Sequence, residues 1–201
     1  METLTWIALA LVVVVLLAWY LTYSAARLDR LHAKVEGAVA ALDAQLVRRA
    51  ESAIELGTAG WLDPASSLLL VDAATAALEA SPARTEGAGL HGVNVQERGA
   101  AESDLTDALN LVLTADAVAE LRMRGGDSSA HILGRIEAAA LRVQLARRFH
   151  NQAVTEVQRV RRKRIVRVFR LAGHAPLPGT AEFDDEVRIG HGQGTPLDSG
   201  S

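Results

Sequence analysis

Carboxylates and histidines are the groups in this chain best suited to chemistry, and their spacing limits what they could do. Glu97, Glu102, Asp104 and Asp107 crowd one short stretch. At a loop edge and a helix start, such acids favour the positive end of the helix dipole, which accounts for them without a reaction. His131 and His150 stand nineteen residues apart, and neither has a Glu or His at metal-ligand spacing. No His-Glu-x-x-His motif, phosphate-binding loop or nucleophile elbow occurs. Gly87, Gly89 and Gly92 reproduce a dinucleotide-fold spacing, but no strand precedes them as that fold requires. Cysteine is absent, which excludes disulfides, thiolate metal sites and a cysteine nucleophile. The expectation is therefore no metal, no cofactor and no catalytic residue. An enzyme would need folding to gather the carboxylates around His131 or His150.

Two further groups have more than one reading. Arg48-Arg49, with Asp43 and Gln45 just before them, could form a docking patch for a partner. The favoured alternative is interhelical pairing, because guanidinium forks bridge carboxylates and helix ends; Asp43 with Arg147 is a candidate pair. His150 could be a pH-sensitive element, since imidazole titrates near neutrality, but a bonded histidine inside a helix seam is the commoner case.

The elements that would position these residues start at a bilayer. From Thr3 to Ala26 no residue is charged. Roughly 20 apolar residues suffice to cross the hydrocarbon core. Trp6 near one end and Trp19, Tyr20 and Tyr23 near the other suit the two interfaces, where amphipathic rings settle. A cleaved signal peptide fits less well, because basic residues are missing before the run and bulky ones stand near its end. Arg27, Arg30 and Lys34 follow the span and no Lys or Arg precedes it. An excess of basic residues marks the cytoplasmic side, so the reading is a single-pass cell-membrane protein with its N-terminus outside and its body in the cytoplasm.

The rest is helical in composition: aliphatic, alanine-rich and only 4% aromatic. Leu28, Leu31, Val35, Val39, Leu42, Leu46 and Ala53 recur at helical spacing, so the span is expected to continue as one helix from Leu4 to Leu56. Asp63-Pro64 supplies an N-cap and a first-turn proline for a second helix, ending near Ser81-Pro82. Residues 82–100 read as a loop. A third helix opens at Glu102 or Ser103 and carries Leu105, Ala108, Leu109, Val112, Leu113 and Leu121 on one side. After the break at Gly125-Gly126, a fourth helix sets Ile132, Ile136, Ala139, Val143, Ala146, His150, Ala153, Val157 and Val160 in a heptad seam. The expected fold is all-α: a transmembrane helix (1–24) running into an antiparallel four-helix, coiled-coil-like bundle (25–172), then a disordered tail (173–201).

Net charge is -3, yet residues 159–170 hold seven basic residues and no acid, so the remainder sums to -10. Arg159, Lys163, Arg164, Arg167 and Arg170 share one helical arc, with Arg161 and Arg162 outside it. A fourth helix antiparallel to the first ends at the membrane, so this cluster is expected to lie on the anionic leaflet. A solvated or protein-binding face is the second reading and nucleic acid, which needs only basic runs to neutralise phosphates, the third. The expected partners are the lipid bilayer and other membrane proteins or a second copy joined through helix seams.

Two segments resemble the LemA family of bacterial membrane proteins. Asp43-Ala-Gln45-Leu46-Val-Arg48-Arg49 is similar to that family's Asp-x-Gln-Leu-x-Arg-Arg signature. Arg142-Val143, followed by Ala146-Arg147-Arg-Phe149-His-Asn151-Gln-Ala-Val154, is similar to its Arg-Ile-x-x-Ala-Arg-x-Phe-Tyr-Asn-x-x-Val segment. The resemblance covers residues 5–172. Two departures stand out: Ala53 lies where the family follows Arg-Arg with a proline-bearing helix, and Arg164-Ile165 where it has Phe-Pro. The resemblance implies a single-pass helical membrane protein with no established catalytic activity, and so no catalytic residue to carry over. The functional expectation is a non-enzymatic, membrane-anchored interaction or scaffold module; the alternatives are a membrane-bound enzyme with a carboxylate/histidine site, or a basic-patch nucleic-acid binder.

Overall fold

The computed structural model describes residues 2–81, 95–162 and 177–190, with the backbone alone for 95–97. The described residues form four helices and no strand: α1 (Glu2–Thr58), α2 (Pro64–Glu79), α3 (Val95–Val112) and α4 (Ala115–Arg161). The protein is all-α, and its first helix is long and apolar at its start. Contacts divide the chain into two units, one of residues 1–38 and 150–180, the other of residues 39–149 and 181–201.

In the first unit, α1 carries the apolar run with its side chains unburied, Trp6, Trp19, Tyr20 and Tyr23 all exposed. Trp19 and Tyr23, one turn apart, stack with centroids 6.4 Å apart. After the run, Leu28 and Val35 are buried, and Leu28 packs with Val160 of α4, Leu31 beside them. Lys34 Nζ bridges Glu156 at 2.7 Å. Residue numbers rise on one helix as they fall on the other, so the two segments run antiparallel. His150, Ala153, Val157 and Val160 of the expected seam are buried here.

In the second unit, all four helices contribute to one aliphatic core. Ala50, Ala53 and Leu56 of α1 meet Leu70 and Ala74 of α2, Leu105 and Leu109 of α3, and Leu121, Ile132 and Ile136 of α4. Asp63 caps α2 as its sequence predicts, accepting from the amides of Ala65 and Ser66 with Pro64 in the first turn. Arg135 pairs with Glu55, and Leu42 and Leu46 pack on Val143, which sets α4 antiparallel to α1. Ser81 and Arg98 both reach Asp43, so the end of α2 and the start of α3 lie at the same level of α1. The order is up-down-up-down.

Three expectations need correction. The third helix begins at Val95, not at Glu102 or Ser103, and residues 82–94 of the expected loop lie outside the described residues. That helix also stops earlier: α3 ends at Val112, and Thr114 Oγ1 accepts from the amide of Ala117 to start α4. The expected break at Gly125-Gly126 is real, but it is a kink within α4. Gly126 has φ 52° and ψ -134°, a conformation that only a residue without Cβ adopts readily. The segment before it places Val118 and Leu121 in the core, and Arg124 donates to the carbonyl of Trp61.

The third correction concerns the tail. Residues 177–190 are not loose; they are an extended, packed segment. From Ala181 to Gly190 burial alternates, with Ala181, Phe183, Asp185, Val187 and Ile189 facing in and Glu182, Asp184, Glu186 and Arg188 facing out. That is strand periodicity without a sheet. Residues 173–176 and 191–201 lie outside the described residues.

Candidate functional site

The residues singled out in the sequence converge on the second unit, around an arginine. Arg49 is 0% exposed, and an isolated guanidinium there would cost far more than the fold could bear. It is held by Glu102, 1% exposed, at 2.8 Å, by the Glu102 carbonyl at 2.9 Å, and by Thr106 Oγ1 at 2.9 Å. One turn of α3 thus supplies three acceptors to a fork from α1, the arrangement a planar guanidinium favours. Its Nε and the Oε1 of Gln45, one turn away on α1, are buried without a hydrogen-bond partner among the described residues.

Glu102 is the group for which the sequence reading was furthest off. It is not an exposed acid at a helix start. Burial pushes its carboxyl above the ordinary range, while Arg49 and Arg98 pull it back. Asp43 likewise pairs with Arg98 and Ser81, not with Arg147. Arg147 grips Asp185 through two nitrogens at 2.7 and 2.9 Å and lies over the Phe183 ring, 5.4 Å from its centre. The interhelical-pairing reading of Arg49 and Asp43 holds; the particular pairs differ.

Other candidates scatter. Arg48 and Phe149 are exposed, Leu46 is buried, and Ala146 and Asn151 are half-buried. His131 is exposed. In the first unit, His150 is buried, its Nε2 donates to the carbonyl of Gly179 at 3.3 Å, and burial lowers its pKa below the ordinary 6.5. Glu97 is among the residues whose side chains are not described, and Asp104 and Asp107 are exposed on α3. Among the described residues no group of three His, Asp or Glu could hold a metal ion. Of the basic cluster, Arg159 and Arg162 are exposed at the end of α4 and Arg161 is half-buried; Lys163, Arg164, Arg167 and Arg170 lie outside the described residues.

What the sequence reading missed is the face that holds residues 181–190. Gly99, Ser103, Thr106 and Asn110 recur at spacings of four and three, so they share one stripe of α3, which Leu113 continues just past the helix end. Each meets the backbone of the extended segment. Ser103 Oγ accepts from the Asp184 amide at 3.0 Å, and Thr106 Oγ1 donates to the Asp184 carbonyl at 2.8 Å. Asn110 donates to the Glu186 carbonyl at 2.9 Å and accepts from the Arg188 amide at 2.7 Å. The amide of Gly190 donates to the carbonyl of Leu113 at 3.0 Å, and Gln144 of α4 donates to the carbonyl of Asp185 at 3.1 Å. A Cβ on Gly99 would lie 2.7 Å from the Glu182 carbonyl, so only glycine admits the segment there. The stripe is visible in the sequence as small and polar residues beside the aliphatic one made by Leu105, Ala108, Leu109 and Val112.

Fold and site together define a class: an all-α protein with, among the described residues, one helix long and apolar enough to cross a membrane, and a helical body pinned by a buried ion pair. Compared with family models, with curated proteins and with solved structures, the chain matches none.

Proposed function

We propose that the chain is a single-pass, membrane-anchored helical interaction module of the LemA kind, non-enzymatic, with its N-terminus outside a bacterial cell and its body in the cytoplasm. The observation that carries this reading is where the polar side chains go. Arg49, Glu102, Asp43, Arg98, Arg147 and Asp185 are spent on one another, as interhelical and helix-to-segment ties. Groups so tied fix the fold and offer no cleft in which two of them face a substrate. Leu141, Leu145 and Phe149, exposed at spacings of four on α4, supply an apolar stripe of the kind partners use.

The basic cluster fits the same reading. Val160 packs on Leu28, which is five residues beyond Tyr23, about 7.5 Å along a helix. Arg159 and Arg162 therefore stand within reach of the interfacial aromatics, and the cluster that they begin serves to hold the body against the anionic leaflet. The test is protease added to intact cells carrying a C-terminal tag, paired with crosslinking in native membranes. The tag should survive until the cells are lysed, and a protein partner should be trapped. Tag loss from intact cells would overturn the orientation; a body that traps nothing would overturn the module.

A further inference from the structure

The segment 181–190 is bound to the bundle as a ligand would be, and its contacts specify what else could sit there. In an extended chain the N–H and C=O of one residue point to one side and those of the next to the other. Here Glu182, Asp184, Glu186, Arg188 and Gly190 turn main-chain groups toward α3, while Asp185 turns its carbonyl toward α4. Ser103, Thr106 and Asn110 thus do for this chain what a neighbouring strand does in a sheet. The two repeats are of similar size: a pair of extended residues rises about 6.6 Å and one helical turn about 5.4 Å. Contacts that read main chain are indifferent to the side chain, except that proline cannot stand where an amide donates. Further selectivity comes from the inward side chains alone: Phe183 beneath Arg147, Asp185 in its fork, then Val187 and Ile189 on the aliphatic core.

Phe183, Val187 and Ile189 are only half-buried, and the fully buried core against which Val187 and Ile189 pack is made by the four helices and the turn at Leu113. We propose that the α3–α4 face is a peptide-docking site, that residues 181–190 occupy it in cis as a stand-in, and that its partner is an extended acidic segment of another protein. That segment carries an aromatic residue, a carboxylate two residues on, and aliphatic residues four and six on. This deepens the interaction-module reading and rests on it. An intramolecular occupant competes at an effective concentration in the millimolar range, so the site stays closed to weak ligands and opens to a better-matched partner or one concentrated at the same bilayer.

The test uses the full chain in detergent and a fluorescent synthetic peptide of residues 177–190 as probe. In the wild type the tethered segment blocks the site. Asp185→Asn in the chain weakens that segment, and the probe should bind at least tenfold more tightly than to the wild type, because the competent fraction rises. Adding Arg147→Gln should remove the gain by removing the fork. Adding Gly99→Ala should also remove it, and a helical circular-dichroism signal equal to the wild type's shows that the bundle still folds, since alanine is a better helix former than glycine. Equal binding to wild type and Asp185→Asn, or binding indifferent to Gly99→Ala, would overturn the proposal. So would co-purification of tagged with untagged chains that Gly99→Ala abolishes, since the occupant would then be a second copy. Probe binding is read without a membrane, so its failure leaves the protease and crosslinking results standing by themselves.

Discussion

Removing one half of the buried Arg49–Glu102 pair should cost much more than removing both. Arg49→Met deletes a guanidinium that is 0% exposed and leaves Glu102, 1% exposed, with only Arg98 at 3.9 Å in compensation. Breaking a buried pair this way costs about 3–5 kcal/mol, whereas replacing both members by apolar groups of similar volume is often neutral or stabilising. For a chain of this size each kcal/mol moves the melting temperature by about 2–4 °C, so the single variant should melt roughly 6–20 °C lower. Arg49→Met with Glu102→Met should return to within about 1 kcal/mol of the wild type. The assay is the loss of helical circular dichroism on heating the full chain in detergent. pH supplies an independent arm. With its partner gone, Glu102 sits in the core with a pKa above its unfolded 4.5, so the folded state favours the neutral form. Stability from that preference is present at low pH and is lost as pH rises through the folded value. The deficit of the single variant should therefore shrink as pH falls toward 5. A single variant within about 1 kcal/mol of wild type, or a double variant worse than the single, would refute the assignment of this pair as a mutually dependent core tie.

Two glycines of α4 should respond oppositely to alanine. Gly126→Ala, at φ 52° and ψ -134°, should destabilise by about 1–3 kcal/mol, and Gly134→Ala, in regular helix with open space around it, should stabilise by up to about 1 kcal/mol; chemical denaturation of each separates them. His150 supplies a pH signature. Its folded pKa is lowered by burial, so the unfolded chain takes the proton first, and the stability that neutral His150 contributes is present above about 6.5 and lost as pH falls through the folded value. The free energy of unfolding should drop below pH 6.5 with a slope of at most about 1.4 kcal/mol per pH unit, and His150→Gln should flatten that part of the curve.

Long helices were legible because their apolar residues repeat over many turns. The α1 stripe from Leu28 to Ala53 and the α4 seam from Ile132 to Val160 each draw on dozens of residues, and nearly all the seam positions are buried. The cap at Asp63-Pro64 was legible because it is local chemistry. The start of α3 was hidden by Gly99, a poor helix residue kept for the close approach of Glu182. The break at 113–114 was hidden because Leu113 and Leu121 both reach the core, so the apolar pattern runs on through the turn. Ion-pair partners depend on which helices face, and no spacing within one helix reports that: Asp43 found Arg98, and Arg147 found an acid in a segment read as tail. That segment alternates Phe183, Asp185, Val187 and Ile189 inward, but with an acid in the inward set the alternation does not read as hydrophobic.

The central claim, a helical module held to the cytoplasmic face by one span, is tested most directly by cysteine labelling, because the chain has no cysteine of its own. Thr3→Cys lies before the apolar run, and Met123→Cys sits at an 80% exposed position on the body. Intact cells are treated with a membrane-impermeant maleimide, then permeabilised and treated again. The account predicts that Thr3→Cys labels in intact cells and Met123→Cys only after permeabilisation. Labelling of Met123→Cys in intact cells would contradict it.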